Sequence, residues 1–490
     1  MRSALTLLLL LSGSGLGCAY YNAMWSAERY AKDARRAERR GQTSEARSQW
    51  ALAAAKAERV ALRHPRSKWA DDALTLQAEG LARSGACDEA ASPIKQVRDA
   101  VTDPPLRERV ALAEAECALS AKQPLQAEAA LKLPLASKDD ARRSRAELLA
   151  GRAAVLRLDY AAAVRHFERS RESAALPERA RALLDAGRHT EAAALISSLT
   201  GSEFDGERGD LLARLASAAG PAAASAALDR ALKKGRRIPV QEQARLLLAD
   251  ADRRFAHGEY EEAASRYRRA AAVAPAGSNE AGVAAAGEVR VQLTGVREMV
   301  ELNAVAEELR RLSAAPNGAA AKALLDLVTH ASVAGETPAT GFRVAELVRD
   351  SLDAPALAGR LFLMAADRDT ASLYAPKALV AAIAVLPDRR DSLIGVLDRR
   401  YATSPYTRAF HGEPSVAYAA AEDSLARELG LEIGAAPVVG AMRRVDLPIP
   451  GPRGPQLDDL PGLDRGRPGS QPTANARPGV PPPPPDRNRP

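Results

Sequence analysis

The sequence predicts an all-α chain built as a solenoid of helical hairpins, and three observations carry that prediction. Alanine is abundant while aromatic residues make up only 4% of the 490 positions, a composition suited to helices that approach closely rather than to a core of large side chains. Small and aromatic residues recur at fixed places around successive turns between residue 25 and about 275, and such self-similarity is the mark of repeat architectures. Finally, 69 Lys and Arg are interleaved with 62 Asp and Glu for a net charge of +7, the pattern of solvated helix faces. A nucleic-acid partner would require a segregated basic stripe with aromatics between the charges, and the sequence has none.

Residues 1–17 have the make-up of an export signal. Arg2 supplies the positive start, and Ala4 to Leu11 form an apolar run far short of the roughly 20 residues that span a bilayer. Small residues then lead to Cys18. The segment resembles a bacterial lipoprotein signal, although Gly15 stands where such signals usually carry leucine. The resemblance implies that Cys18 is acylated and becomes the mature amino terminus; more than one acyl chain anchors durably where a single chain does not. The same resemblance implies, from Ala19 standing where an aspartate would retain such a protein in the inner membrane, the periplasmic face of the outer membrane as the destination. An ordinary secretory signal, cut nearby and leaving Cys18 free or removed, is the alternative.

The clearest repeat unit is 244–275. Ala251 stands at a small position in its first helix, Gly258 at the turn, Ala263 at the close-packing position of its second helix, followed by Tyr267, Ala270 and a closing Pro275. A small residue lets two backbones approach, an aromatic one turn later fills the space beyond, and proline ends the hydrogen-bond ladder. This unit resembles a tetratricopeptide repeat. The same spacing lies around Gly41 (Ala34, Ala46, Trp50, Ala53), Gly85 (Ala78, Ala90, Ile94), Lys122 (Ala115, Ala127, Leu131), Leu158 (Gly151, Ala163, Phe167) and Gly187 (Ala180, Ala192, Ile196), with a poorer unit near Ala219. The resemblance implies tetratricopeptide-like repeats over 18–275.

Residues 64–74, HPRSKWADDAL, resemble the Tyr-Pro-x-Ser-x-x-Ala-x-x-Ala link of the BamD-like outer-membrane assembly lipoproteins and of periplasmic cell-division coordinator proteins; YAPKAL at 374–379 and YATSPY at 401–406 echo it. In such a link proline ends one helix, serine is expected to cap the next, and the alanines begin its packed face. Residues 276–433 keep helical periodicity, as in 297–313 and 317–333 with Asn317-Gly318 between them, and read as degenerate hairpins continuing the solenoid or as a separate all-α domain. From 434 the character changes. Residues 447–490 hold fourteen prolines and no aromatic, so no core forms there and the tail is expected to be extended and disordered.

Catalytic, cofactor and metal residues are not evident. The six histidines are scattered, no HExxH pair occurs, and no GxSxG elbow or phosphate-binding glycine loop is present in the mature region. A hydrolytic activity would require a buried acid in a cleft of 276–430. Cys87 and Cys117 remain as an even pair in an oxidising compartment, which permits a disulfide; two small buried residues in separate helices are the other reading. Stacked hairpins instead offer a wall, lined by the first helix of each, that holds extended peptides or a partner helix. Arg35, Arg36 and Arg39 are the candidate peptide-binding residues, with Arg142, Arg143 and Arg254 on equivalent faces. The expected function is a non-catalytic scaffold or adaptor for envelope proteins or peptides, joined to the membrane by its lipid and acting in outer-membrane protein assembly. The alternative is a cell-wall tether or division coordinator acting through the proline-rich tail.

Overall fold

The computed structural model describes residues 23–234, 238–333, 337–413 and 415–428. Cys18, the signal and the proline-rich tail lie outside them. Among the described residues the regular elements are all helices. The chain is a tetratricopeptide-like solenoid of consecutive antiparallel hairpins.

Seven hairpins follow one another. They pair α1 (23–39) with α2 (Thr43–Arg63), α3 (Ala70–Ser84) with α4 (Cys87–Ala100), α5 (Pro104–Ser120) with α6 (Pro124–Leu135), and α7 (Asp140–Leu156) with α8 (Tyr160–Arg169). The series continues with α9 (Ala175–Asp185) and α10 (His189–Ile196), α11 (Glu207–Ala219) and α12 (Pro221–Lys234), and α13 (Val240–Ala256) and α14 (Tyr260–Val273). Their apolar cores follow the chain in series, over 24–76, 78–113, 112–153 and 148–284. Each hairpin therefore buries its apolar face against its neighbours, as a quasi-one-dimensional fold requires.

The turns explain the spacing read from the sequence. Gly41, Gly85, Lys122, Leu158, Gly187 and Gly258 all have left-handed backbone, with φ between 56° and 94°. The N–H of the residue after each donates to the carbonyl five residues back, as from Gln42 to Ala37 and from Glu259 to Arg254, over 2.8–3.0 Å. This satisfies the last carbonyls of the first helix and reverses the chain. The poorer unit near Ala219 departs from the pattern: its left-handed residue is Gly220, with ψ 159°, and the N–H of Gly220 closes onto Ala216. A Cβ added at Gly258 would meet nothing within 4 Å, so Gly258→Ala is expected to cost the backbone penalty alone, about 1 kcal/mol, in urea unfolding; a loss near zero would mean that this turn is not left-handed. Lys122 and Leu158 already bear that cost.

Helix contacts are made by the small residues. Ala46 is 3% exposed and Ala90, Ala192 and Ala263 are 0% exposed. A Cβ on Gly151 would lie 2.4 Å from the Phe167 ring, so the small position of the first helix and the aromatic one turn after Ala163 do meet. The entrance to α3 differs from expectation. Trp69 is the N-cap of α3 and provides no side-chain cap; Ser67 instead accepts the Trp69 N–H at 3.0 Å, closing a serine turn ahead of the helix. Ser137, Ser170 and Ser372 make the same i to i+2 contact before α7, α9 and α20 (Tyr374–Val385), while Ser404 does cap α22 (Pro405–Phe410).

Beyond the seventh hairpin, α15 (Asn279–Thr294) belongs to two cores at once. Ala284 packs with the preceding repeats, and Ala286 and Val289 open the core that runs to Leu425. A Cβ on Gly287 would lie 2.4 Å from the Tyr267 ring of α14, and Arg290 pairs with Asp353 across 2.8 Å. The packing therefore passes through α15 without a break. α16 (Met299–Ser313) and α17 (Ala319–Ser332) fall on the two periodic segments at 297–313 and 317–333, with the Asn317-Gly318 pair between them, and α18 (Pro338–Asp350), α19 (Pro355–Arg368), α21 (Arg390–Arg400) and α23 (Val416–Glu428) complete the series.

Candidate functional site

First helices of the early hairpins line a groove of about 750 Å³, with Arg35, Glu38 and Arg39 from α1, Glu79 and Arg83 from α3, Arg109 and Glu116 from α5, and Arg142 and Arg145 from α7. Residues 171–173, ahead of α9, complete its wall. The first turn also approaches a later part of the chain: a Cβ on Gly41 would lie 2.7 Å from the Glu203 carbonyl oxygen, ahead of α11. A side chain at residue 41 is thus disfavoured by the left-handed backbone and blocked by the approach of the 3-10 turn at Ser202–Phe204.

The groove floor is a lattice of alternating charges. Glu79, 13% exposed, accepts from Arg35 at 3.0 Å and from Arg109 at 2.8 and 3.1 Å, and Arg83 stands 3.4 Å away. Arg83 also reaches Glu38 at 3.5 Å and Glu116 at 3.6 Å, and Glu116 accepts two N–H groups of Arg145 at 2.9 and 2.5 Å. Burial alone would raise the Glu79 carboxyl, but Arg109, Arg35 and Arg83 together outweigh it and hold it well below the usual carboxylate range. Glu116 follows the same rule: burial opposes, and Arg145 and Arg83 prevail to lower it. Beneath the lattice lies Trp50, 0% exposed, with the Arg83 and Arg35 guanidinium groups 4.5 and 5.1 Å from its ring centre and its Nε1 donating to Glu38 at 2.9 Å.

The candidate arginines separate. Arg35 and Arg39 line the groove, but Arg35 is bound to Glu79 and stacked on Trp50. Arg39 is exposed and forms no ion pair with a described residue. Arg36 is turned to Asp33 at 3.2 Å and is no part of the groove. Reversing all three together would therefore disturb stability through Arg35 as well as any contact with a partner. Arg142 lines the groove and donates to Glu108 at 2.5 Å; Arg143 pairs with Asp140 and Arg254 with Glu259 and Ser225.

Cys87, at the start of α4, and Cys117, in α5, form a disulfide with Cα atoms 5.4 Å apart. Closing a loop across 30 residues restricts the unfolded chain by about 3–4 kcal/mol, and the bond fixes α5, which carries Arg109 and Glu116. Buried acids do occur in the 276–430 region. Glu280 and Asp353 are both 7% exposed, and each is paired with an arginine, Arg245 at 2.9 Å and Arg290 at 2.8 Å. Among the described residues no group of three or more His, Cys, Asp or Glu is placed to hold a metal ion, and no helix is long and apolar enough to cross a membrane.

No protein-family model and no curated protein matches the chain. Among solved structures it is similar to a tetratricopeptide repeat protein from Parabacteroides merdae, at 15% identity over 53% of this chain and 98% of that one, with a TM-score of 0.28. It is also similar to a Rap protein complexed with competence and sporulation factor (13% identity, 67% of this chain and 99% of that one, TM-score 0.25). A third is the tetratricopeptide domain of P58(IPK), at 14% identity over 82% of this chain and 98% of that one, with a TM-score of 0.20.

Proposed function

We propose that this protein is a non-catalytic scaffold of the bacterial cell envelope, anchored by acyl chains on Cys18 at the periplasmic face of the outer membrane, whose inner groove receives an extended peptide segment of a partner. The observation that carries this reading is the charge-balanced floor. Four arginines (Arg35, Arg83, Arg109, Arg145) and three glutamates (Glu38, Glu79, Glu116) neutralise one another nearly completely. Such a floor offers both donors and acceptors, which suits the alternating N–H and C=O groups of a peptide main chain better than a uniformly acidic segment. The link at 64–74 supports outer-membrane protein assembly as the process, by resemblance alone.

A photo-crosslinking residue at position 39 of the full chain in native envelopes is expected to attach a discrete partner, and one at Leu52, 44% exposed and outside the groove, is not. Arg39→Glu should reduce partner capture about fivefold without moving the unfolding midpoint, because an exposed and unpaired side chain contributes little to stability. Equal adducts at both positions, or unchanged capture by the Arg39 variant, would remove the groove as the binding surface.

A further inference from the structure

We propose that the exposed face of α1 is a seat for an anionic phospholipid surface. The helix divides sharply: Met24, Ala27, Ala31, Ala34 and Ala37 are 0–6% exposed, while Trp25, Arg29, Lys32 and Arg36 are exposed at i, i+4, i+7 and i+11, a single stripe. Trp25 is 50% exposed at the start of that stripe, with the Arg29 guanidinium 5.6 Å from its ring centre. Asp33 lies within 4.0 Å of Arg29 and 3.2 Å of Arg36, Glu28 is exposed beside the stripe, and Lys32 forms no ion pair among the described residues, so three cations against two acids leave this face a positive surplus. A terminal helix of a solenoid needs only a polar outer face. Half-exposed tryptophan beside several cations is what an interface with headgroups selects.

Chain length fixes the occupant. Only residues 19–22 separate Cys18 from the first described residue of α1. Fully extended, five residue steps reach at most about 18 Å. If Cys18 carries lipid, which rests on the function proposed above, the start of α1 lies within that reach of the bilayer, and laying the helix along the surface brings the cationic stripe to the headgroups. The same face also accounts for Arg36, which the groove leaves unused.

The test uses residues 19–490, without acylation, and vesicles of phosphatidylcholine with or without 30% phosphatidylglycerol. The chain is expected to sediment with the anionic vesicles at low salt and to be released as salt rises. The triple change Arg29→Glu, Lys32→Glu, Arg36→Glu should weaken that binding about 100-fold or more, with an unchanged circular-dichroism melt. In a Trp69→Phe background, where Trp50 stays buried, anionic vesicles bearing brominated acyl chains should quench Trp25. Equal binding to neutral vesicles, no binding to either, or an unaffected triple variant would overturn the seat. Intact-mass analysis of the mature amino terminus reads the anchor independently: an acylated terminus with no vesicle binding defeats the seat alone, and vesicle binding with an unacylated terminus defeats the anchor alone.

Discussion

Trp50→Ala is expected to destabilise the amino-terminal repeats by about 3–5 kcal/mol, the cost of emptying a fully buried aromatic site. Trp50 is the largest of the fully buried side chains, and it lies under the groove rather than in the middle of a broad core. A Cβ on Gly80 of α3 would lie 2.8 Å from its carbonyl oxygen and 2.9 Å from the Ala54 Cβ, so α2 and α3 touch backbone to backbone here and cannot collapse further into a cavity. Removing the ring also strips the surface on which Arg35 and Arg83 rest and leaves Glu38 without the Nε1 donor. Stability in a stacked fold is nearest-neighbour in character. The loss should therefore appear first as faster hydrogen exchange over 23–84, with the repeats beyond α7 little changed, and then as a lower urea midpoint. Trp50→Phe should recover most of the loss by refilling the volume. A uniform increase in exchange along the whole chain, or a loss below 1 kcal/mol, would contradict the serial cores.

The turns were legible because left-handed backbone favours glycine, and Gly41, Gly85, Gly187 and Gly258 announce themselves. Lys122 and Leu158 are placed only by counting from the small residues on either side, which works because helix contact tolerates little more than alanine at Ala115, Ala127 and Ala163, all 0% exposed. At Ala219 the count slips by one residue, since Gly220 uses an extended ψ and a different closure. The charge lattice has a signal in the sequence, but only between hairpins. Arg109 and Arg145 stand thirteen residues before their turns, and Glu79 and Glu116 stand six before theirs. A first-helix arginine of one hairpin thus meets the first-helix glutamate of the hairpin before it, once at Arg109–Glu79 and again at Arg145–Glu116. Reading charges singly hides this, because each partner is about 30 residues away and looks solvated in its own helix. The approach of Gly41 to Glu203 depends on the accumulated rotation of several hairpins, which no local pattern encodes.

Glu79→Gln is expected to cost about 3 kcal/mol at neutral pH, because it leaves Arg35 and Arg109 without their carboxylate at a position that is itself only 13% exposed. The glutamine keeps the shape, so the loss measures charge rather than volume. The pH dependence follows from the direction of the shift. The Glu79 carboxyl is held below its unfolded value, so its contribution is complete above the ordinary glutamate range and is lost as protons are taken up below about pH 5. Glu116 acts in the same sense. The native chain should therefore lose stability progressively as the pH falls below about 5, and Glu79→Gln should flatten that limb while lowering the plateau, so that the two curves draw together as acid is added. Asp99, lowered by its contact with Lys95 but exposed, supplies the control: Asp99→Asn should leave both plateau and slope almost unchanged. Parallel curves for the native chain and Glu79→Gln would mean that the carboxylate is not ionised at the centre of the lattice, and the charge-balanced floor, with the peptide groove argued from it, would fall together.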